Sequence, residues 1–165
     1  MSGTIELWTL QDEGALERIE RDGVLRCDGR RIVHYDFREA YKWLIGQMNQ
    51  RVSGYHGRYP LWAWPDKPDM RSSMHRFSGK PQVRIGFRVP CDRVTAHDFG
   101  AWHSVLNRMP VTLSEEEWDC SDGWSFDQIE RSWERIFDLD LLRTADPEWL
   151  GEDDLDLQLT LGEIH

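Results

Sequence analysis

Apolar and polar positions alternate most clearly over residues 82–89, QVRIGFRV. Val83, Ile85, Phe87 and Val89 fall on one face and Arg84, Gly86 and Arg88 on the other. A period of two is that of a half-buried strand. Residues 5–10 alternate enough to predict a second strand. Leu155, Leu157, Leu159 and Leu161, spaced by Asp156, Gln158 and Thr160, predict a terminal one. Short strands are expected over 59–64 and 109–113. Helical spacing takes over elsewhere. Asp12 is placed to cap a helix carrying Ala15, Leu16 and Ile19, which Gly23 ends. Asp36 and Glu39 form a capping box ahead of Phe37, Tyr41, Leu44, Ile45 and Met48, so a helix is expected to about Arg51. Asp98 caps another to about Asn107. Ser114 with Glu117 and Ser125 with Gln128 repeat the capping box, and the second opens a helix with Phe126, Ile129, Trp133, Ile136 and Phe137 on one face. ADPEWLG, residues 145–151, reads as a turn or short helix.

Strands and helices mingle without a regular strand-helix-strand rhythm. Neither a Gly-x-Gly-x-x-Gly nor a Walker motif occurs. The class expected is α+β, with a mixed or mostly antiparallel sheet and three or more helices. A chain of 165 residues is long enough for one good core and short for two domains, so residues 1–165 are expected to form a single domain.

Charge divides the chain more sharply than pattern does. Residues 1–113 carry 17 Lys/Arg against 13 Asp/Glu, and residues 114–165 carry 3 against 17, within a total of −10. The acidic part reads as a solubilising surface or as a face for a basic protein partner, such as an immunity, antitoxin or defence component meets. No apolar run reaches the length of a membrane span. Met1 to Gln11 has neither the basic start nor the apolar core of a secretion signal. Cys27, Cys91 and Cys120 lie far apart and make no Cys-x-x-Cys pair. With no such signal, a cytoplasmic protein with reduced thiols is expected.

Candidate chemistry gathers in YPLWAWPDKPDMR, residues 59–71. Pro60, Pro65 and Pro68 forbid a regular helix there, and residues 65–80 read as a long loop. If residues 59–64 are extended, Trp62 and Trp64 project from one face, a platform for a flat ligand such as a base or nicotinamide. Lys67 and Arg71 are then placed to meet its phosphates, with Asp69 beside them. The competing reading makes one strand face core and pairs Asp66, Lys67, Asp69 and Arg71 on the surface. HDFGAWH, residues 97–103, supplies Asp98, Trp102 and His103, the last a candidate general base or ligand contact. His97 and His103 are six apart, a poor spacing for one metal on one helix, and no metal site is expected. No Gly-x-Ser-x-Gly occurs either. The first function expected is a nucleotide-like small-ligand site between the central loop and the Asp98 helix.

Three segments carry a resemblance. LWTLQ with the following helix and DGVLRCD, then YPLWAWPDKPDMR, then VPCDRVTAHDFGAWHSVLN, together resemble a bacterial family whose domain has no assigned function. LQLTLGEI resembles its final strand more weakly. The opening strand, helix and Gly-Val-Leu are also similar, distantly, to compact ADP-ribosyltransferase-like proteins. That resemblance implies NAD as cofactor, a ligand contact on the first strand and a catalytic Glu on a late one. It carries these roles onto Thr9 and Glu163, whereas the first strand here offers Trp8 and Thr9 in place of the Arg or His usual in that fold.

An acidic total opposes duplex DNA or RNA, whose binding rests on phosphate neutralisation. An anisotropy titration with duplex DNA at physiological salt should show no tight binding; submicromolar, salt-sensitive binding would refute this.

Overall fold

The computed structural model describes residues 3–29, 35–71, 81–146, 149 and 156–165. Residues 72–80 of the loop expected over 65–80, most of ADPEWLG and Leu155 lie outside them. Chain order is β1 (Thr4–Asp12), α1 (Ala15–Asp22), β2 (Leu25–Arg26), α2 (Arg38–Arg51), β3 (Leu61–Ala63), β4 (Gln82–Pro90), β5 (Val94–Asp98), α3 (Phe99–Leu106), α4 (Glu115–Ser121), α5 (Phe126–Ser132), α6 (Leu139–Leu142), β6 (Leu157–Leu161) and β7 (Glu163–Ile164). The class is α+β, and the strand pairs of known register, β1–β4, β2–β7 and β3–β6, are all antiparallel. β3, β6 and β5 form a three-stranded sheet in that order. By packing, the chain divides into two compact units. The first takes in the described residues of 1–33, 43–95 and 159–165, and the second those of 34–42 and 96–158. This division falls elsewhere than the change of charge at residue 113. It nevertheless sorts charge: the first unit's sequence holds 14 Lys/Arg and 11 Asp/Glu, the second's 6 and 19.

In the first unit β1 and β4 pair over their whole length, from Thr4 opposite Pro90 to Asp12 opposite Gln82. Side chains alternate across both strands, so Leu7, Thr9 and Val89 go to the core while Trp8 and Arg88 stay at least partly exposed. Leu61, Ala63, Leu159 and Leu161, from the paired β3 and β6, are buried, as are Leu44 and Met48 of α2. Burial of such side chains contributes roughly 1.5–3 kcal/mol each. Gly23 ends α1 as expected, with φ of 68° and its N–H donating to the Ile19 carbonyl. The start of α1 differs from expectation. Gly14 is the N-cap, and Asp12 acts from two residues earlier, accepting the Gly14 N–H and holding Arg18 in a two-pronged pair at 2.9 Å.

The second unit keeps its helix caps close to expectation. Asp98 accepts the Ala101 N–H at 2.6 Å, and Ser125 with Gln128 closes a full capping box. At α4 the Ser114 hydroxyl accepts the Glu117 N–H, but the Glu117 carboxylate takes the Leu113 N–H instead of that of Ser114. The helix expected through Phe137 tightens into a 3₁₀ turn over Trp133–Phe137. The strand expected over 109–113 is absent. That segment has no regular secondary structure, and side chains meet much of its backbone: Ser132 Oγ accepts the Val111 N–H, Trp133 Nε1 donates to the Met109 carbonyl, and Arg135 donates to that of Val111. Pro110 has no N–H to offer a ladder. β5 was not anticipated; its five residues are too few for a clear alternation. After α3, Arg108 takes φ of 59°, its N–H donating to Val105 and that of Met109 to Ser104. This is a Schellman cap with arginine where glycine is favoured, at a backbone cost of about 1 kcal/mol.

His97 lies wholly buried on β5, its ring edge-on to Phe137 at 6.1 Å. Burial pushes its pKa down to about 3, and a backbone hydrogen bond at Asp98 opposes this only in part. Unfolding exposes a ring with a pKa of about 6.5 that takes up a proton below that pH. The resulting stability is fully present above about pH 6.5 and lost progressively as pH falls toward 3. Urea unfolding should show a loss of about 2 kcal/mol by about pH 5 from this group, absent in His97→Gln, with the His97 ring resonances not titrating over the same range.

Candidate functional site

The partly exposed face of β1, β3 and β4 in the first unit is where residues 59–71 come to lie. β3 ends at Ala63, and the next residue continues the pairing by a bridge to β1. The Trp8 N–H donates to the Trp64 carbonyl at 2.9 Å, and the Trp64 N–H returns to Trp8 at 2.8 Å. Residues exchanging both bonds present their side chains on the same side. Trp62 and Trp64 therefore share a face, with Trp8 beside them, while Leu61 and Ala63 point into the core. Cross-strand rows extend this face over β4: Trp8 sits opposite Gly86, Leu10 opposite Arg84, and Glu6 opposite Arg88.

Gly86 decides how Trp8 lies. A Cβ there would stand 2.7 Å from the indole ring, so the absence of a side chain lets the ring lean across β4. Two cations converge on that ring. Lys67 Nζ is 5.0 Å from its centroid and the Arg84 guanidinium carbon 5.8 Å, both within cation–π range. Arg84 Nη1 also donates to the Pro68 carbonyl at 2.6 Å, which ties the loop that carries Lys67 to β4. Neither Lys67 nor Arg84 has a carboxylate partner among the described residues. Arg88, one row further, makes only a long contact of 3.4 Å with Glu6 at the surface. The result is a partly exposed indole beside two positive charges with no carboxylate partner among the described residues.

The residues singled out from sequence fall into two sets, one in each unit. In the first, Trp62, Trp64 and Lys67 belong to this face. Thr9 does not: it is wholly buried, its hydroxyl donating to the Trp62 carbonyl at 2.8 Å and accepting from Gln11 Nε2 at 2.9 Å. Its hydroxyl holds β1 to β3 from the core side. Asp69 and Arg71 pair with each other at 3.1 Å, the Arg71 side chain 90 % exposed, a surface pair worth about 0–1 kcal/mol. Glu163, on β7 opposite Arg26 of β2, receives Arg26 Nε at 2.8 Å and lies 3.0 Å from His165 Nε2. Partial burial raises its pKa, but the hydrogen bonds from Arg26 and His165 outweigh this and hold it below its ordinary value, as a carboxylate. In the second unit Asp98 is buried as the α3 cap. Trp102 is buried with its ring edge-on to Tyr41 at 5.4 Å. His103 is exposed, its Nδ1 2.9 Å from the Phe99 carbonyl one turn back. With Nδ1–H as the donor there, Nε2 is left as an acceptor facing solvent.

Trp8, Arg84 and Gly86 are the members that the reading of residues 59–71 missed. The alternation of β4 already placed Arg84, Gly86 and Arg88 on one face. What it lacked was the register that sets Trp8 opposite Gly86. Among the described residues no group of three or more His, Cys, Asp or Glu side chains is arranged to hold a metal ion, and no helix is long and apolar enough to cross a membrane.

The leaning indole makes a defined coupling. Gly86→Ala is expected to cost roughly 1–3 kcal/mol through overpacking against Trp8, and far less in a Trp8→Ala background. A urea double-mutant cycle measures this; additive effects would show that the ring does not occupy the space over Gly86.

No curated protein and no solved structure matches the chain. A family match covers residues 6–119, from β1 through most of α4, and so includes Trp8, Trp62, Trp64, Lys67, Arg84 and the Asp98–His103 segment but neither Phe126 nor Glu163. Because that span is well over half of the sequence, the chain belongs to the family described as Domain of unknown function (DUF3841).

Proposed function

We propose that the face of β1, β3 and β4 binds a small nucleotide-like anion. The observation that carries this is the pair Lys67 and Arg84 over Trp8, two cations without carboxylate partners among the described residues beside a partly exposed aromatic ring. An anionic group satisfies both charges at once, and charge-assisted hydrogen bonds from Arg are strong and directional. The planar part of the ligand stacks on the exposed tryptophan surface, as aromatic platforms accept any flat heterocycle. In its enzymatic form this reading is an NAD-using transferase of the ADP-ribosyltransferase type. The ribose–nicotinamide bond breaks, nicotinamide leaves with the bonding electrons, and an acceptor nucleophile bonds to the ribose carbon. Glu163, held ionised by Arg26 and His165, is the carboxylate assigned to stabilise the positive charge developing on the ribose. A second reading rests on the second unit's 19 acidic residues against 6 basic ones and makes that unit a binding module for a basic protein.

Titrating ADP and NAD into the protein should change tryptophan emission saturably. Lys67→Ala and Arg84→Ala should each weaken binding by roughly ten- to hundredfold, the loss of one charge-assisted contact at ~1.5–3 kcal/mol. Arg71→Ala, paired with Asp69 at the surface, should change it little. A wild type blind to both nucleotides removes the ligand reading. Nicotinamide release from NAD that persists in Glu163→Gln removes the role given to Glu163.

A further inference from the structure

Three large apolar side chains are exposed among the described residues: Leu16, Met109 and Phe126. Two of them share one place in the second unit. The Phe126 ring stands edge-on to Trp133 with centroids 5.8 Å apart, and Trp133 Nε1 donates to the Met109 carbonyl at 2.8 Å. Arg108, next to Met109, sets its guanidinium carbon 5.8 Å from the Phe126 ring. Arg108 has no carboxylate partner among the described residues, although its unit is strongly acidic. It also occupies the left-handed position where glycine is the easier residue, so the chain keeps this side chain at a backbone cost. Arg, Phe and Met on an exposed surface are the residue types that concentrate in the centres of protein interfaces.

We propose that Phe126 and Met109 form the anchor by which this unit docks a basic protein segment bearing a large apolar side chain, with Arg108 beside the Phe126 ring. Charge complementarity selects the occupant. Asp127 adjoins Phe126 and Glu130 lies one turn on along α5; both are exposed, as is Asp122 just before the helix. A lysine- or arginine-rich strand or helix places its apolar residue on Phe126 and Met109 while its cations meet this rim. Nucleic acid and anionic membranes are repelled by the same rim. The proposal rests on the partner-binding reading of the second unit, and its test separates the two.

The probes are a synthetic amphipathic helix of lysine and leucine and an all-lysine peptide of equal charge, followed by anisotropy at low and physiological salt. The lysine–leucine peptide is expected to bind the wild type, and Phe126→Ser to weaken it at least tenfold, as loss of an interface anchor does. The all-lysine peptide is expected to bind more weakly and to ignore Phe126→Ser. Arg108→Gly relieves the left-handed backbone and should raise the urea midpoint. Equal binding by wild type and Phe126→Ser leaves the acidic reading standing and overturns the anchor. Binding of neither peptide at low salt overturns the partner-binding reading and the anchor with it. Concentration-dependent mass in sedimentation, abolished by Phe126→Ser, makes the occupant a second copy and overturns the basic partner.

Discussion

Two backbone hydrogen bonds between Trp8 and Trp64 fix the geometry of the first unit's candidate face. They dock the proline-rich segment onto β1 in one register, and much else follows. The Trp62 carbonyl comes within reach of the buried Thr9 hydroxyl, Lys67 is delivered three residues later over the Trp8 ring, and the Pro68 carbonyl meets Arg84. A slip of one residue would send Trp62 and Trp64 into the core and Leu61 and Ala63 to the surface. The Thr9 contact lies on the core side and the Lys67 and Arg84 contacts on the exposed side, so the bridge is held from both faces of the sheet. The cationic aromatic arrangement is therefore a property of strand register, and only secondarily of the loop.

That dependence explains what could be read from the chain. Local periodicity located β1, β4, α2 and the helices capped by Asp98 and Ser125, because burial on one side of a strand or helix imprints its period on the residues themselves. The shared face of Trp62 and Trp64 followed from the same rule. Pairing partners did not follow, since nothing within QVRIGFRV says that Gly86 stands opposite Trp8. Thr9 illustrates the cost. As a polar residue on a strand it invited a ligand role, but a buried hydroxyl with two protein partners is part of the core's hydrogen bonding. Arg71 illustrates the converse: expected at a ligand's phosphates, it ties instead to Asp69, two residues away, as the local surface pair of the competing reading.

In the second unit the segment 109–113 shows the same logic with a different outcome. Its residues suit a strand, but at Met109 and Val111 the partners are side chains, and Ser132, Trp133 and Arg135 take the places that a neighbouring strand fills in a ladder. Arg135 serves twice, since its guanidinium also pairs with Glu117 at 2.8 Å and so links the 3₁₀ turn to α4. Ser132, Trp133 and Arg135 thus act on the chain 20 residues and more before them, which is invisible to any window of local pattern.

β3 pairs with β6, and Leu61 lies opposite a residue one hundred positions later in the chain. Closing a loop of that length costs about 4 kcal/mol of chain entropy beyond a constant term, before any contact repays it. Residues 96–158, which form most of the second unit, lie entirely inside that loop. During synthesis β1, β3 and β4 leave the ribosome long before β6 does, and until then the buried edge of β3 that β6 covers has no partner. Pairing of β3 with β6 is thus a contact between segments distant in sequence, the kind that slows folding relative to local contacts.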